Sequence, residues 1–534
     1  MPRKTSKTSS TTPGRNPSSK SAAQSARTGK RAAKTKAQPA AEVEATPEEA
    51  ESEPIVPVET HGGLFREETD SLGTVRVPFN VYYGAQTQRA VENFTVSGRL
   101  PHRGLVRAYV AVKKACAMAN QSLGKLDDRR GEVICRACDE VLGRDELIDQ
   151  WVVDVFQAGA GTSMNMNTNE VLANRALELM GKQRGQYALL SPNDHVNMSQ
   201  STNDTFPTAM HVAALLVWKD LAKALNHLAR VLRTKARLFD SVLKSARTHL
   251  QDAVPIRLGQ EFAAYGEAVQ EAHERIDRAT HGLLTVALGG SAAGTGLNTH
   301  EQYASTAVGN LGRIVNLPLA AAKNLPLRMQ SMAPVAAVSG ALRNLALELI
   351  RIANDLRLLA SGPRTGLAEI NLPAVQPGSS IMPGKVNPSL AECLNMICFQ
   401  VIGNDTAIAM AVQAGQLELN VMMPGMAVAL LDSMEYLKNF LPVFAHKCVE
   451  GITVNEDRCR GYFEASVGLA TILNQKIGYL KAAEVAKQSV ASGKSILEIC
   501  RQERLLSAEE FRALGQPKAS TEPSASLLGR QKKP

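Results

Sequence analysis

Along this chain, apolar residues recur at alternating spacings of three and four in long tracts. Phe262, Tyr265, Val269, Ala272, Ile276, Ala279, Leu283 and Val286 keep that spacing, and so do Val335, Val338, Leu342, Leu345, Leu349, Ile352, Leu356 and Leu359. Ala427, Leu430, Met434, Leu437, Leu441 and Phe444 repeat it, as do Leu221, Leu225, Leu228 and Leu232, and then Leu394, Ile397 and Val401. A mean period near 3.5 residues puts each set on one stripe of an α-helix. Five such helices pack nearly parallel, as in coiled coils and bundles. Their flanks are also rich in Ala, Leu and Val, so more than one face is apolar, which predicts burial between copies of the chain. Residues 65–85 hold the only β-like alternation and predict one hairpin around Gly73. The pattern predicts an all-α fold dominated by a long-helix bundle.

Three ordered regions follow: a mixed, mostly helical part over 62–199, the long-helix bundle over 200–455, and short helices over 456–515. Tails flank them at 1–61 and 516–534. Composition changes the picture mainly at the first tail. The chain of 534 residues carries a net charge of +9, but residues 1–41 hold ten Lys/Arg and no Asp or Glu, so the remainder is slightly acidic. An acidic run from Glu42 to Glu59 follows, and no large apolar residue lies between Met1 and Val43, which predicts a disordered arm. Such an arm offers weak, salt-sensitive contact to a polyanion such as nucleic acid. With 44% hydrophobic but only 4% aromatic residues, the core must be aliphatic. No apolar run approaches the ~18 residues of a membrane span, which predicts a soluble protein. The eight cysteines are scattered, and Cys135-x-x-Cys138 lies in a helical pattern where both thiols share a buried face; that usage fits a reducing cytoplasm. No Gly-rich dinucleotide fingerprint or P-loop follows a strand, and no metal-ligand set or Ser–His–acid triad is present, so neither cofactor nor metal is expected.

The chemistry concentrates in a few polar stretches that interrupt the helices. Gly378-Ser-Ser-Ile-Met-Pro-Gly-Lys-Val-Asn-Pro388 packs two hydroxyls, a cation and an amide between glycines and prolines. Asn387 reads as the N-cap and Pro388 as the first position of the helix that follows. A lysine, amide donors and backbone N–H groups at a helix N-terminus make an anion site. Three further stretches are equally rich in hydroxyls and amides: Gly159 to Glu170 with Thr162, Ser199 to Asp204, and Arg247-Thr248-His249-Leu250-Gln251-Asp252. Together they offer many donors, one lysine and one histidine, which suits a small molecule bearing two carboxylates.

The eleven-residue stretch resembles the signature loop of the fumarase/aspartase superfamily, and the spacing of all four stretches is similar to that superfamily over residues 65–510. The resemblance implies homotetramers, with a central bundle of roughly 20 helices and active sites shared among three chains. Val153 to Ser163, Gln200 to Asp204, Leu179 to Tyr187, Gly366 to Pro373 and Gly415 to Met422 resemble the aspartase branch, while Gly84-Ala-Gln-Thr-Gln-Arg89 reads more like fumarase. The implied activity is reversible deamination of L-aspartate to fumarate through an aci-carboxylate. Hydration of fumarate, as in class II fumarases, is the alternative, and a non-enzymatic helical scaffold with a nucleic-acid-binding arm is the remote one. By resemblance Ser379 is the base, Thr162, Ser201, Thr202 and Ser380 hold the aci-carboxylate, and Asn203 holds the amino group. Lys385, Asn387, Thr248 and His249 grip the other carboxylate, with Glu392 supporting His249. On generic grounds His249 is the competing base, since its ordinary pKa suits that role.

Overall fold

The computed structural model describes residues 65–523 and Leu528, so the arm expected over 1–61 lies outside the described residues. Strands β1 (Phe65–Asp70) and β2 (Gly73–Pro78) form the expected antiparallel hairpin, with Gly73 at φ +117° in its turn. Helices α1 (Ala85–Asn93), α2 (Arg103–Ser122), α3 (Asp128–Arg144) and α4 (Thr162–Leu179) complete the N-terminal part. The cysteines are free thiols, and on α3 burial pushes Cys135 up to about 11.

Helix α5 (Thr202–Leu238) is the longest, at 37 residues. It runs into strands β3 (Leu243–Thr248) and β4 (Gln251–Arg257), which return the chain into α6 (Leu258–Thr280). This second hairpin departs from the expectation of a single one. Lys244 and Ser245 point inward on β3 to polar partners, so the strand lacks an apolar alternation to read. After β5 (Thr285–Val286) come α7 (Tyr303–Val315), β6 (Ala320–Ala321, parallel to β5) and α8 (Leu325–Gln330). Then follow α9 (Ala333–Leu359), β7 (Ile370–Asn371), α10 (Ser389–Gln413), α11 (Met423–Phe444) and β8 (Thr453–Val454, antiparallel to β7).

The five long helices close a ring in which α5 packs on α6 and α11, α6 on α9, α9 on α10, and α10 on α11. The predicted stripes of α9 and α11 are buried throughout, which accounts for the ring: each stripe can leave water only against two neighbours. Helices α5, α9 and α11 run one way and α6 and α10 the other. At one end, Asn420 beyond α10 donates its N–H to Met329 O just before α9. At the other, Glu369 beyond α9 packs on β3, and Lys235 late in α5 donates to Ile452 O beyond α11. The first is here called the cap end, because α5 and α9 begin there; the second is the hairpin end.

By length and mean hydropathy (1.3 and 1.2), α9 and α10 match a membrane-spanning window, although neither is an unbroken apolar run. Arg343, Glu348, Arg351 and Asp355 interrupt α9, and Glu392 and Asp405 interrupt α10. Helix α9 lies in the ring, but only 28% of the α10 window is buried, and Met396, Phe399 and Met410 face outward.

Short helices α12 (Glu456–Ala465), α13 (Ala470–Ile477), α14 (Tyr479–Ser492), α15 (Ile496–Gln502), α16 (Ala508–Leu514) and α17 (Pro517–Thr521) finish the chain. They enclose a separate core of Phe463, Leu469, Val485, Ile496 and Ile499. The tail expected over 516–534 is folded in its first part. Pro517 opens α17, Arg257 on β4 binds Thr521 (2.5 Å) and Glu522 (3.0 Å), and Leu528 is buried in the same core.

Candidate active site

Residues 378–388 form a loop closed at its neck. Gly378 N donates to Lys385 O (2.9 Å), and the Asn387 amide donates back to Gly378 O (2.5 Å). A Cβ at Gly378 would run into the Lys385 carbonyl and sit 2.6 Å from Asn387 N, so the crossing requires glycine. The helix starts one residue later than expected: Pro388 is the N-cap and Ser389 the first position, because the Asn387 amide is used to close the neck. Inside the loop, Ser379 Oγ accepts the backbone N–H of Ile381 (3.2 Å) and of Met382 (2.9 Å). Two N–H dipoles on one hydroxyl oxygen favour its ionised form. Ser380 and Lys385 are exposed beside it, as are Ile381 and Met382.

Thr248 and His249 stand at the tip of the β3–β4 hairpin, not beside a helix. His249 (φ +57°) and Leu250 (φ +58°) both take the left-handed conformation of a two-residue hairpin turn, which is costly without glycine. Three linked ion pairs hold the strand beneath. Glu369 binds Arg247 (2.8 Å) and lies 2.8 Å from Lys244, slightly off the hydrogen-bond line; Lys244 also binds Glu261 (2.8 Å). The expected pairing of His249 with Glu392 is absent within the chain. Glu392, in the first turn of α10, lies 4.0 Å from Arg357, while His249 projects into solvent.

The remaining candidates gather at the cap end. Thr162 is the first residue of α4, entered through Ala160 (φ +61°) and Gly161 (φ +85°), and its hydroxyl lies 3.5 Å from Gly159 O. Gly161 lies against the Phe206 ring, one turn into α5, so the two helix starts are neighbours. Ser201 caps α5: its Oγ accepts Asn203 N (3.2 Å), while Asp204 accepts Ser201 N (3.0 Å). Thr202 is buried at the first helical position. The Asn203 amide donates to Ala292 O (2.8 Å), which leaves its carbonyl oxygen free to accept. Asp204, in the sequence only the end of a polar stretch with no role assigned, has one in the structure. Its carboxylate also takes the N–H of Gly289 and Ser291 (3.0 Å each), tying the loop after β5 to the start of α5, and burial pushes it up to about 6.

The two groups are far apart in one chain. The signature loop precedes α10, whereas Thr162 is fastened beyond its far end, where Ala160 N donates to Val421 O (2.8 Å). The 25 residues of α10 rise by about 37 Å, and the 37 of α5, between Ser201 and the His249 hairpin, by about 55 Å. A four-carbon dicarboxylate spans less than about 6 Å by ordinary bond lengths. One copy of the chain therefore offers two half-sites, not one site.

The fumarase-like segment from Gly84 to Arg89 has a structural role. Glu170 accepts the N–H of Gly84 (2.8 Å) and Gln86 (2.9 Å) and the Thr87 hydroxyl (2.6 Å), and Arg89 pairs with Asp70 (2.8 Å). Its departure from the aspartase pattern thus concerns how α1 is seated on α4.

A lyase family model matches residues 73–403, and a fumarase C C-terminal model matches 469–521. Among curated relatives, the chain is 48% identical over 459 residues to the aspartate ammonia-lyase of Bacillus subtilis, covering 86% of this chain and 96% of that protein. It is 47% identical over 450 residues to the Escherichia coli K12 aspartate ammonia-lyase, covering 84% and 94%. Of solved structures, a cobalt-bound fumarate lyase:delta crystallin from Brucella melitensis superposes with TM-score 0.83 at 46% identity, covering 86% of this chain and all of that one. A class II fumarase from Schistosoma mansoni superposes with TM-score 0.80 at 36% identity, covering 85% and 98%.

Proposed function

We infer that this chain, which belongs to the fumarase/aspartase superfamily of lyases, catalyses the reversible deamination of L-aspartate to fumarate and ammonia. The observation that carries the chemical reading is Ser379 Oγ held by the Ile381 and Met382 N–H groups. A serine can act as a base only as its alkoxide. Two fixed dipoles favour that state, with Lys385 of the same loop as the available cation.

The alkoxide takes a proton from the aspartate carbon next to the β-carboxylate. The electron pair moves into that carboxylate, giving an aci-carboxylate with an extra negative charge. Ammonia then leaves as the carbon–carbon double bond forms. Donors aimed at the developing charge provide the main stabilisation, and Thr162, Ser201, Thr202 and Ser380 fill that role. The free carbonyl oxygen of Asn203 receives the substrate ammonium. Lys385, Thr248 and His249 hold the α-carboxylate, with the second N–H of Asn387 as a further donor. These groups occupy two distant half-sites in one chain, and α10 exposes Met396, Phe399 and Met410. Both facts support a homotetramer in which copies bring opposite ends of the bundle together, and in which Glu392 and His249 of different copies meet. Eight free cysteines support a reducing, cytoplasmic setting.

The test is an assay of purified protein with L-aspartate, following fumarate absorbance and ammonia release, with L-malate in parallel. Turnover of malate but not aspartate would overturn this reading in favour of fumarase.

A further inference from the structure

Beneath the cap end, the segments carrying Thr162 and Ser201 to Asn203 meet on one buried ammonium. Lys113, on α2, is fully buried, and its Nζ donates to Asn165 Oδ1 (2.6 Å), Asn197 Oδ1 (3.0 Å) and Gln200 Oε1 (2.8 Å). Three donors thus meet three amide oxygens, and among the described residues no carboxylate pairs with the charge. Asn165 lies one turn into α4 after Thr162, and Gln200 directly precedes Ser201. With their oxygens drawn to Lys113, the amides turn their N–H groups onto one another and the backbone. Asn165 and Asn169 donate to Asn197 Oδ1 (3.2 Å each), and Gln200 donates to Val196 O (2.9 Å). A neutral amine has two N–H groups for these three oxygens, so one of the three contacts would be lost.

We propose that Lys113 is a positioning residue for the dicarboxylate: its ammonium sets the starts of α4 and α5, and its positive charge, which among the described residues has no carboxylate in contact, gains a counter-charge when the substrate dianion binds. This rests on the reading above that a dicarboxylate occupies the cap end. The linkage has a definite sign. Burial lowers the Lys113 pKa to about 7, and a nearby dianion favours the charged form, so binding takes up a proton above pH 7. Other titratable groups around it are Cys116 on α2, Cys138 on α3, Tyr109 on α2, Tyr303 on α7 and Asp204 on α5. Burial raises both thiols and both phenols, so they stay protonated through this range. Burial raises Asp204 only to about 6, so any uptake it contributes is centred below that of Lys113 and is small at pH 8.

The experiment is calorimetry of succinate binding at pH 8 in two buffers of different protonation enthalpy, on the full chain, with steady-state kinetics on aspartate from pH 6.5 to 8.5. The expected result is uptake of roughly 0.5 to 1 proton per site. It should be accompanied by a KM that rises roughly tenfold over the upper part of that range while kcat changes little. Lys113→Met should abolish the uptake and flatten the KM profile; a merely structural lysine would lower kcat without altering proton linkage. If that variant does not fold, Lys113→Arg, whose guanidinium stays charged across this range, should likewise lose the uptake. Succinate heat with no buffer dependence at pH 8 overturns the proposal, as does uptake that persists in Lys113→Met. Absence of both succinate heat and aspartate turnover removes the dicarboxylate reading itself, and the lysine proposal falls with it.

Discussion

Two variants damaged at opposite ends of the bundle should rescue each other. Ser379→Ala removes the proposed base at the hairpin end and should cost roughly 10²–10⁴-fold in kcat. Thr202→Val, nearly isosteric and at the cap end, removes a donor to the aci-carboxylate and should cost roughly 10²–10³-fold. Each alone should therefore retain about 1% activity or less. Because α10 holds the two half-sites some 37 Å apart, a working site must draw Ser379 from one copy and Thr202 from another. If the two variants are unfolded together in equal amounts and refolded, each site receives its two ends from independent copies. About a quarter of sites then have both intact, so activity should return to ~25% of wild type. The assay is fumarate production, with each variant refolded alone as the control. Mixed protein no more active than its parents would put both residues in the site of a single chain and refute the separation argument.

Lys385→Ala should raise KM for aspartate, and lower kcat as well if the cation helps keep Ser379 ionised, as initial rates over a range of aspartate concentrations will show. Proton exchange at the aspartate β-carbon should survive in His249→Ala and vanish in Ser379→Ala; the reverse would make the histidine the base. Gly378→Ala should open the neck of the signature loop and lower kcat by at least tenfold while leaving the melting temperature within ~2 °C, since the loop is exposed. Glu369→Gln leaves Arg247 without its buried counter-charge and Lys244 with Glu261 alone, and should cost roughly 3 kcal/mol, read as a lower denaturant midpoint. Ending the chain at residue 515 should lower thermal stability, because Arg257 loses Thr521 and Glu522; an unchanged melting temperature would show that α17 adds nothing.

What could be read in advance was what repeats or clusters locally. The stripes of α9 and α11 are aliphatic at every third or fourth position, and burial follows directly from that spacing. The β3–β4 hairpin was illegible because Lys244, Ser245 and Arg247 are oriented by ions and hydroxyls from distant segments, Glu369 and Ser466 among them. A Thr-His-Leu turn also lacks the Asn-Gly signal that usually marks two left-handed residues. The chemical residue types of the proposed site are legible in the sequence, since hydroxyls and amides crowd four short stretches. Their division between two ends is not, because it depends on helix direction. Lys113 and Asp204 were missed for a related reason: a lysine within an alanine-rich helix and an aspartate in a cap look ordinary until their partners from other elements are in place.

The outward face of α10 has a consequence for how the protein comes into being. Until something covers Met396, Phe399 and Met410, each newly folded chain presents an adhesive strip to its surroundings. Correct pairing is second order in chain concentration, and so is aggregation through the same strip. Yield on refolding should therefore pass through an optimum, with assembly too slow at high dilution and misassociation dominant when concentrated. With the proposed site divided between copies, enzymatic activity should emerge with a lag behind helix formation, and that lag should shorten as the chain concentration rises.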